Sequence, residues 1–360
     1  MKVKNLKLTD FRNYQTVDVN FESGINLIYG NNASGKTNLV EAIVLCSLGK
    51  SFRTNEDINL IRSNQEFSKV EVEYESNRVN QIKFVISEKG KRVELNEVLV
   101  NKLSNLSGNL LTLTFVPEDV LMFKDSPSVR RKFLDISISG MKKEYIENLL
   151  EYKNFIKQRN ALLKENEVDT ILLETLEERM LDSQYLISNY RRDILKELEE
   201  RLNITFNKIN QKENKIKIKY LSDFAISKPY EEFKEIAKEK YLDTRENDLR
   251  KKNTTIGIHK DDFKIYLNEM EVGEYASQGQ NRLMVLSLKL SLARVIKEIT
   301  KEDPIVILDD VLSELDNHHQ ERMIEELKEY EQVFVTSAKD ENLSNVTKYN
   351  VQENLVIRRN

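Results

Sequence analysis

One eight-residue stretch decides the fold of this chain: Gly30-Asn31-Asn32-Ala33-Ser34-Gly35-Lys36-Thr37. It satisfies the phosphate-loop pattern G-x-x-x-x-G-K-[ST], and it follows a predicted strand (25–29) and precedes a predicted helix. The glycines allow backbone angles that direct successive N–H groups at phosphate oxygens, and the helix N-terminus adds a favourable dipole. We therefore predict that the loop binds a nucleoside triphosphate, with Lys36 reaching the β- and γ-phosphates and the Thr37 hydroxyl binding Mg²⁺.

A second part of the same site is predicted at an apolar strand that ends in two acids, Pro304-Ile305-Val306-Ile307-Leu308-Asp309-Asp310. A continuous apolar run is typical of a buried parallel strand, and acids at its carboxyl end face the ligand crevice of an α/β sheet. Asp309 is then the carboxylate on the Mg²⁺ side. Asp310 is the candidate that orients or deprotonates the attacking water.

Lys36 and Asp309 lie 273 residues apart, so we predict a split nucleotide-binding fold with other structure inserted between its halves. An antiparallel meander is expected over 70–74, 79–86 and 92–95. From about 130 to 250 glycine and proline nearly vanish, and apolar residues recur at steps of three and four, which predicts a charged helical hairpin. The prediction is an α/β chain with an N-terminal ATPase part (1–130), a helical arm domain (131–250) and a C-terminal ATPase part (251–360).

A second candidate anion site is Ser277-Gln278-Gly279-Gln280, which precedes apolar residues at helical spacing. A small hydroxyl and a glycine at a helix start direct N–H groups and the helix dipole at an anion. Because one chain needs only one phosphate cradle, this site is predicted to serve the nucleotide of another subunit. The alternative is an ordinary serine N-cap.

Composition sets wider limits. The 360 residues contain 56 Lys and Arg against 60 Asp and Glu, for a net charge of −4, which argues against a surface that is basic throughout but leaves room for local basic faces. The single cysteine, Cys46, excludes an intramolecular disulfide and a cysteine-based zinc site. The three histidines do not have metal-ligand spacing. With no apolar run near ~20 residues and no signal-peptide core, the chain is predicted to be cytoplasmic, without contact with a membrane.

The order of these motifs, followed by Leu312-Ser313-Glu314-Leu315-Asp316, looks like the head of an ABC-type ATPase. Within that class the chain resembles, from end to end, the RecF family of bacterial recombinational-repair proteins, which are related to the SMC proteins. Five further stretches carry the resemblance: Leu8–Tyr14, Gly49–Arg53, Val116–Val120, Ser126–Asp135 and His259–Asp262.

The resemblance implies roles for particular residues. The nucleotide would be ATP, bound with Mg²⁺, and Arg12 and Asn13 would lie near it. Ser277, Gln278, Gly279 and Gln280 match the signature motif, which closes on the γ-phosphate of the opposite subunit, so that ATP holds a homodimer together and hydrolysis releases it. Asp316 matches the loop that crosses this interface.

The resemblance also implies a function. Such a dimer binds single-stranded DNA and gapped or junction DNA, acts with RecR and RecO to load the recombinase, and supports replication and the SOS response. The implied enzyme activity is a weak, DNA-stimulated ATPase used as a switch. Basic clusters that could contact DNA phosphates are Lys50/Arg53/Arg62, Arg130-Arg131-Lys132, Lys142-Lys143, Arg191-Arg192 and Arg250-Lys251-Lys252.

Several positions depart from related ATPases. Asp310 stands where most ABC proteins carry Glu, and Thr336-Ser337 stand where transporters carry a switch histidine, so slow turnover is expected. Glu118 or Asp119 is the nearest candidate for the Mg²⁺-linked loop residue, which is usually Gln. Lys260 replaces an Arg that is common in the family. The alternatives are a soluble ATPase subunit of an ABC transporter, which would lack the helical insertion, and a metabolic kinase, which would need no signature between subunits.

Overall fold

The computed structural model describes residues 1–224, 228–340 and 343–359. It divides into two compact units. Unit 1 comprises Met1–Asp119, Lys208–Gln211 and Lys289–Asn360, and unit 2 comprises Val120–Asn207 and Lys212–Leu288. The domain limits expected from the sequence differ from the limits of these units, because residues 251–288 belong to unit 2. The expected domain limits stay a prediction. Among the described residues, no helix has both the length and the apolar character that a membrane span requires.

The first sheet of unit 1 is antiparallel, with six strands in the order β2-β1-β4-β5-β6-β7. Its strands are β1 (Lys2–Phe11), β2 (Tyr14–Asn20), β4 (Phe67–Glu75), β5 (Val79–Ser87), β6 (Gly90–Leu95) and β7 (Val98–Leu99). Buried and more exposed side chains alternate along β4 and β5, as expected for strands with one face on the core. The predicted antiparallel meander is confirmed by the pairing of β4, β5 and β6.

The second sheet of unit 1 has the order β15-β14-β3-β13-β12-β8 and is parallel except for the pair β14–β15. Its strands are β3 (Gly24–Tyr29), β8 (Thr112–Phe115), β12 (Ile305–Asp309), β13 (Gln332–Ser337), β14 (Val346–Gln352) and β15 (Leu355–Arg359). All five residues of β12 are buried, which confirms the predicted parallel strand. Because β3, β12 and β13 are parallel, their carboxyl ends share one edge of the sheet.

Helix α1 (Lys36–Leu48) contacts strands of both sheets, and its apolar side chains are buried on all sides. The later helix of unit 1 is α8 (Asn317–Leu327). Helix α7 (Gln278–Thr300) contains the boundary between the units, at 288/289.

Between 127 and 251, the residues that the structure describes form four long helices rather than the expected hairpin of two: α2 (Pro127–Met141), α3 (Lys143–Leu162), α4 (Thr170–Asn210) and α5 (Tyr230–Lys251). A short helix, α6 (Val272–Tyr275), precedes α7. Unit 2 also contains a three-stranded antiparallel sheet in the order β11-β10-β9, formed by β9 (Ile216–Leu221), β10 (Asp262–Leu267) and β11 (Met270–Glu271). Strand β9 lies inside the stretch expected to be helical, where Ile-Lys-Ile-Lys-Tyr-Leu alternates with the period of a strand.

Candidate functional site

The phosphate loop links the end of β3 to the start of α1, as its sequence predicts. Two of its glycines are required by close contacts. A Cβ on Gly30 would lie 2.3 Å from the Val351 carbonyl oxygen, and one on Gly35 would lie 2.5 Å from the Tyr14 hydroxyl. Gly35 also has φ 113°, a conformation that side-chain-bearing residues rarely adopt. The backbone therefore holds the loop shape through contacts that only glycine permits.

Lys36 is folded over this loop. Its Nζ donates to the carbonyl oxygens of Gly30 at 2.8 Å and Asn31 at 2.9 Å, and the side chain is nearly buried. Burial lowers the pKa of Lys36, while the negative charges of Asp310 and Asp309 act in the opposite direction. The ammonium is therefore bound by two carbonyl oxygens of the loop, within the electrostatic influence of Asp309 and Asp310.

Asp309, the last residue of β12, contacts the start of α1. Thr37 Oγ1 donates to Asp309 Oδ1 at 2.8 Å, and Thr336 Oγ1 donates to the same oxygen at 2.7 Å. Burial raises the pKa of Asp309, and the two hydroxyl donors and the Arg53 charge partly offset that effect. A carboxylate and a hydroxyl thus lie together beside the phosphate loop.

Asp310 differs from its neighbour in exposure and backbone. Its side chain is exposed, and its φ of 55° is left-handed. Its N–H donates to Thr336 Oγ1 at 2.9 Å. The two adjacent acids therefore point into different surroundings, as expected from their predicted roles.

The residues present fit a nucleotide with Mg²⁺. Ser34 Oγ, inside the loop, is buried and has no hydrogen-bond partner among the described residues, which is the mark of a site that takes a polar ligand. The Thr37 hydroxyl and the Asp309 carboxylate supply the hard oxygen ligands that Mg²⁺ prefers.

Asn13 and Arg12 lie close to this site but differ in their contacts. Asn13 Nδ2 donates to the Ser34 carbonyl oxygen of the loop at 3.3 Å and also to Asn354 Oδ1, and Asn13 Oδ1 accepts from Asn38 Nδ2 at 2.6 Å. The Arg12 guanidinium binds Glu41 Oε1 at 2.6 Å and Oε2 at 2.9 Å. The position expected for Arg12 beside the nucleotide remains a prediction.

Glu41 is the residue here that sequence reasoning missed. Its carboxylate is fully buried in α1 and accepts hydrogen bonds from Arg12, from Arg53 Nη1 at 3.3 Å and from Ser51 Oγ at 2.5 Å. A charged residue among the apolar positions of a helix was the available signal, because a buried carboxylate requires a cation nearby.

The predicted signature stands at the start of α7, and all four of its residues are exposed. Ser277 Oγ accepts from the N–H of Gln280 at 3.2 Å, while Gln280 Oε1 accepts from the N–H of Ser277 at 3.0 Å. This reciprocal pair is a capping box, so Ser277 does act as an N-cap. A Cβ on Gly279 would meet no atom within 4 Å. The helix start is therefore both capped and open to a ligand or a second chain.

Two other predicted positions have defined surroundings. Asp316 caps α8, accepting from the His319 N–H at 3.0 Å and from His319 Nδ1 at 2.6 Å, and these hydrogen bonds lower its pKa. Asp119 is ion-paired with the nearly buried Lys289 and accepts from the Val116 N–H at 2.7 Å. Glu118 is exposed. Of the two candidates for the Mg²⁺-linked loop, Asp119 is thus already engaged.

Two of the basic residues considered for DNA contact need correction. Arg130 is buried and binds Asp262 through Nε and Nη2, at 2.7 and 2.9 Å. Arg191 is also buried and binds Asp135 Oδ1 at 2.8 Å and Asp261 Oδ2 at 3.3 Å. Because these guanidinium groups are buried among their own carboxylates, they are not positioned to contact DNA phosphates.

Comparisons with known proteins identify relatives of this chain. A family model described as "RecF/RecN/SMC N terminal domain" matches residues 2–355. A Streptococcus gordonii protein named "DNA replication and repair protein RecF" is 37% identical over 97% of this chain and 96% of its own length. One of the same name from Oenococcus oeni is 38% identical over 94% of this chain and 93% of its own.

Solved structures give the same result. The structure described as "the recombination mediator protein RecF-ATPrS in RecFOR pathway" superposes with a TM-score of 0.93 at 32% identity, covering 99% of this chain and 98% of its own. A Pyrococcus furiosus Smc head domain superposes with a TM-score of 0.57 at 16% identity, covering 99% of this chain and 96% of its own, which shows a shared fold alone.

Proposed function

This chain belongs to the RecF family of DNA replication and repair proteins, and from that membership we propose that it is an ATP-switched DNA-binding protein of recombinational repair. The observation that carries the proposal is the meeting of Thr37 and Asp309 beside Lys36, from positions 272 residues apart. A hydroxyl and a carboxylate from distant parts of the chain thus lie together beside a phosphate loop, which is the arrangement that ATP hydrolysis requires. A solved structure of a relative, described as "RecF-ATP", supports ATP as the nucleotide.

Each residue of the cluster has a proposed role in ATP binding and hydrolysis. The loop Gly30–Thr37 and the Lys36 ammonium bind the triphosphate, and Arg12 and Asn13 lie at its side. Thr37 and Asp309 hold Mg²⁺, which when bound neutralises charge on the β- and γ-phosphates. Asp310 is exposed beside them and orients the attacking water or accepts its proton.

The proposal includes an ATP-dependent homodimer. Ser277, Gln278, Gly279 and Gln280 are proposed to bind the γ-phosphate of the partner chain's nucleotide, with Asp316 crossing the interface. The exposure of the capped start of α7, with its N–H groups and dipole, supports this role. Hydrolysis would then separate the chains, so a weak, DNA-stimulated ATPase serves as a reset.

DNA and protein partners follow from the family. The chain is proposed to bind single-stranded DNA and gapped or junction DNA, to act in the cytoplasm with RecR and RecO in recombinase loading, and to support replication and the SOS response. A relative's description as a recombination mediator of the RecFOR pathway supports the two protein partners. The comparisons do not favour the transporter-subunit alternative. The relatives are named as DNA replication and repair proteins, and the chain matches them over nearly their whole length.

The deciding experiment is the solution mass of the Asp310→Asn variant by light scattering, without nucleotide, with ADP and with Mg-ATP. Removing the acid should slow hydrolysis and trap the ATP state, so we expect a change from one chain mass to two with Mg-ATP only. A matched control, Asp310→Asn with Ser277→Arg, should bind ATP as a monomer, because the arginine fills the proposed trans site at an exposed position.

A monomer in all three states would contradict the dimer switch. Loss of ATP binding in the Ser277→Arg control would place the signature in the nucleotide site of its own chain and would contradict the trans assignment.

A further inference from the structure

A buried threonine on the strand beside β12 joins the two acids of the site. Thr336 lies on β13, pairs in register with Asp309, and is 1% exposed. All six residues of β13 are buried, and Thr336 Oγ1 is the hydroxyl that contacts both neighbouring acids. The strand pairing therefore fixes this hydroxyl relative to the end of β12.

The direction of both hydrogen bonds follows from chemistry. The backbone N–H of Asp310 can only donate, so it donates to Thr336 Oγ1 at 2.9 Å. The hydroxyl has one proton, and it gives that proton to Asp309 Oδ1 at 2.7 Å. The result is a directed chain from the Asp310 N–H through the hydroxyl to the Asp309 carboxylate, in which each bond strengthens the other.

Asp310 needs such a restraint. Its φ of 55° lies in the left-handed region, which residues with a side chain adopt uncommonly. Its exposed carboxylate is contacted by Ser313 Oγ at 3.4 Å, which is at the limit of a hydrogen bond. The direction of the side chain is therefore set mainly by the backbone of Asp310. The hydroxyl at 2.9 Å from its nitrogen is a tertiary contact to the one backbone donor that Asp310 has.

We propose that Thr336 is a positioning residue for ATP hydrolysis: its hydroxyl holds the Asp310 backbone and one Asp309 oxygen in a fixed relation. This inference rests on the proposed function, and it gives β13 a part in the site although the strand ends without a switch histidine. Thr336 does not touch the nucleotide in this role. It acts through the two acids, so its loss should affect turnover more than binding.

The test compares Thr336→Val, which removes the hydroxyl and keeps the shape, with Thr336→Ser, which keeps the hydroxyl. For Thr336→Val we expect kcat for ATP to fall about tenfold or more, since small misplacements of catalytic groups are costly. The Kd for ATP without Mg²⁺ should change less than about threefold, and Thr336→Ser should recover most of the activity. A matched control is Thr112→Val, which removes a hydroxyl bonded to Ser47 Oγ at 2.9 Å on β8 of the same sheet.

The outcomes separate this inference from the proposed function. If the wild type and Lys36→Met hydrolyse ATP equally, the proposed site itself is wrong. If Lys36→Met is inactive but Thr336→Val keeps the wild-type kcat, the positioning role is overturned. It is also overturned if Thr336→Ser is as slow as Thr336→Val, or if Thr112→Val loses as much activity. Should Thr336→Val fail to fold, Thr336→Cys, with a weak donor of similar size, takes its place with the same expected loss.

Discussion

At the scale of single residues, Glu41 shows how a buried charge shapes the edge of the nucleotide site. Its carboxylate is fully buried and binds Arg12 through two hydrogen bonds, while Arg53 and Ser51 complete its contacts. The backbone of Arg12 is in the left-handed region, with φ 56°, which a residue with a side chain adopts uncommonly. The ion pair with Glu41 helps to hold Arg12 in this conformation. Glu41 thus holds two cations beside the helix that carries Lys36.

We expect Glu41→Ala to destabilise unit 1 by about 2–3 kcal/mol, because it removes a fully buried carboxylate and with it the charged hydrogen bonds to Arg12 and Arg53. Glu41→Gln, which keeps the acceptor oxygen, should cost less. Denaturant unfolding measures both. The control is Glu325→Gln, which removes an exposed ion pair with Arg322 on α8 and should cost under about 1 kcal/mol. Equal losses in Glu41→Ala and Glu325→Gln would contradict the buried-charge account.

The residues that could be predicted from the sequence are those whose chemistry is local. The phosphate loop and Asp309 each follow a strand, and their spacing and context carry the signal. Glu41 and Thr336 could not be assigned in this way, because their roles depend on partners brought close only by the sheets. Thr336 acquires its contacts through parallel pairing of β12 with β13, which no short motif encodes.

At the scale of elements, the motif His259–Asp262 in the turn between α5 and β10 makes structural contacts. His259 Nε2 donates to the Thr254 carbonyl oxygen at 3.2 Å, so Nδ1 accepts from the Tyr152 hydroxyl at 2.9 Å. A Cβ on Gly257 would lie 2.4 Å from that hydroxyl, and its φ is 126°. The imidazole therefore joins α3 to this turn as a neutral group, with Asp261 and Asp262 engaging buried arginines behind it.

This arrangement predicts a pH dependence. Burial lowers the pKa of His259 to about 4, with the nearby charges of Lys260, Arg131 and Arg159 acting in the same direction. Between about pH 6.5 and 4, His259 binds a proton in the unfolded chain but not in the folded one. The contribution of His259 to the free energy of unfolding is therefore fully present above about pH 6.5 and falls as the pH drops towards 4. Between pH 7.5 and 4.5 the wild type should lose roughly 2–3 kcal/mol more than His259→Gln.

Urea unfolding of both proteins at several pH values tests this expectation, since the two share every other titrating group. Parallel stability curves for the wild type and His259→Gln would contradict it.

The elements themselves were predictable where one periodicity dominates. The meander, the strand before the phosphate loop and the strand ending in Asp309 all follow from period two or from continuous apolar runs. The number of helices in unit 2 was not predictable from amphipathic steps alone, because α2 and α3 are separated by a single residue, Lys142. Strand β9 was hidden within a charged block, and its partner β10 lies beyond α5 in the sequence.

At the scale of the whole molecule, unit 1 brings together parts of the chain that lie far apart in the sequence. The amino terminus of Met1 binds Glu331 Oε2 at 2.8 Å, and Val3 and Gln332 exchange two hydrogen bonds. The inserted residues of unit 2 therefore interrupt a unit in which β1 contacts the start of β13. The long separation of Lys36 from Asp309 predicted an insertion, but the pairing of β10 with β9 decides that residues 262–267 belong with it.

Net charge at this scale limits how DNA can be bound. The chain carries −4 overall, and Arg130 and Arg191 are committed to buried ion pairs, so the proposed DNA affinity would have to come from local exposed cations such as Arg250, Lys251 and Lys252 at the end of α5. Contacts of this kind bind phosphates and release counterions, without reading bases. The proposed DNA binding should therefore be strongly salt-dependent and indifferent to sequence.

With three phosphates contacted, affinity for gapped DNA should fall about fortyfold between 50 and 200 mM salt, and further with more contacts, because the logarithmic slope is about −0.9 for each phosphate. Fluorescence anisotropy with Asp310→Asn in Mg-ATP measures this slope, and two gapped duplexes of unrelated sequence provide the control. Equal affinities for the two, together with a steep slope, follow from backbone contacts. A flat salt response would mean that few phosphates are neutralised, and a preference for one sequence would require base contacts that this account excludes.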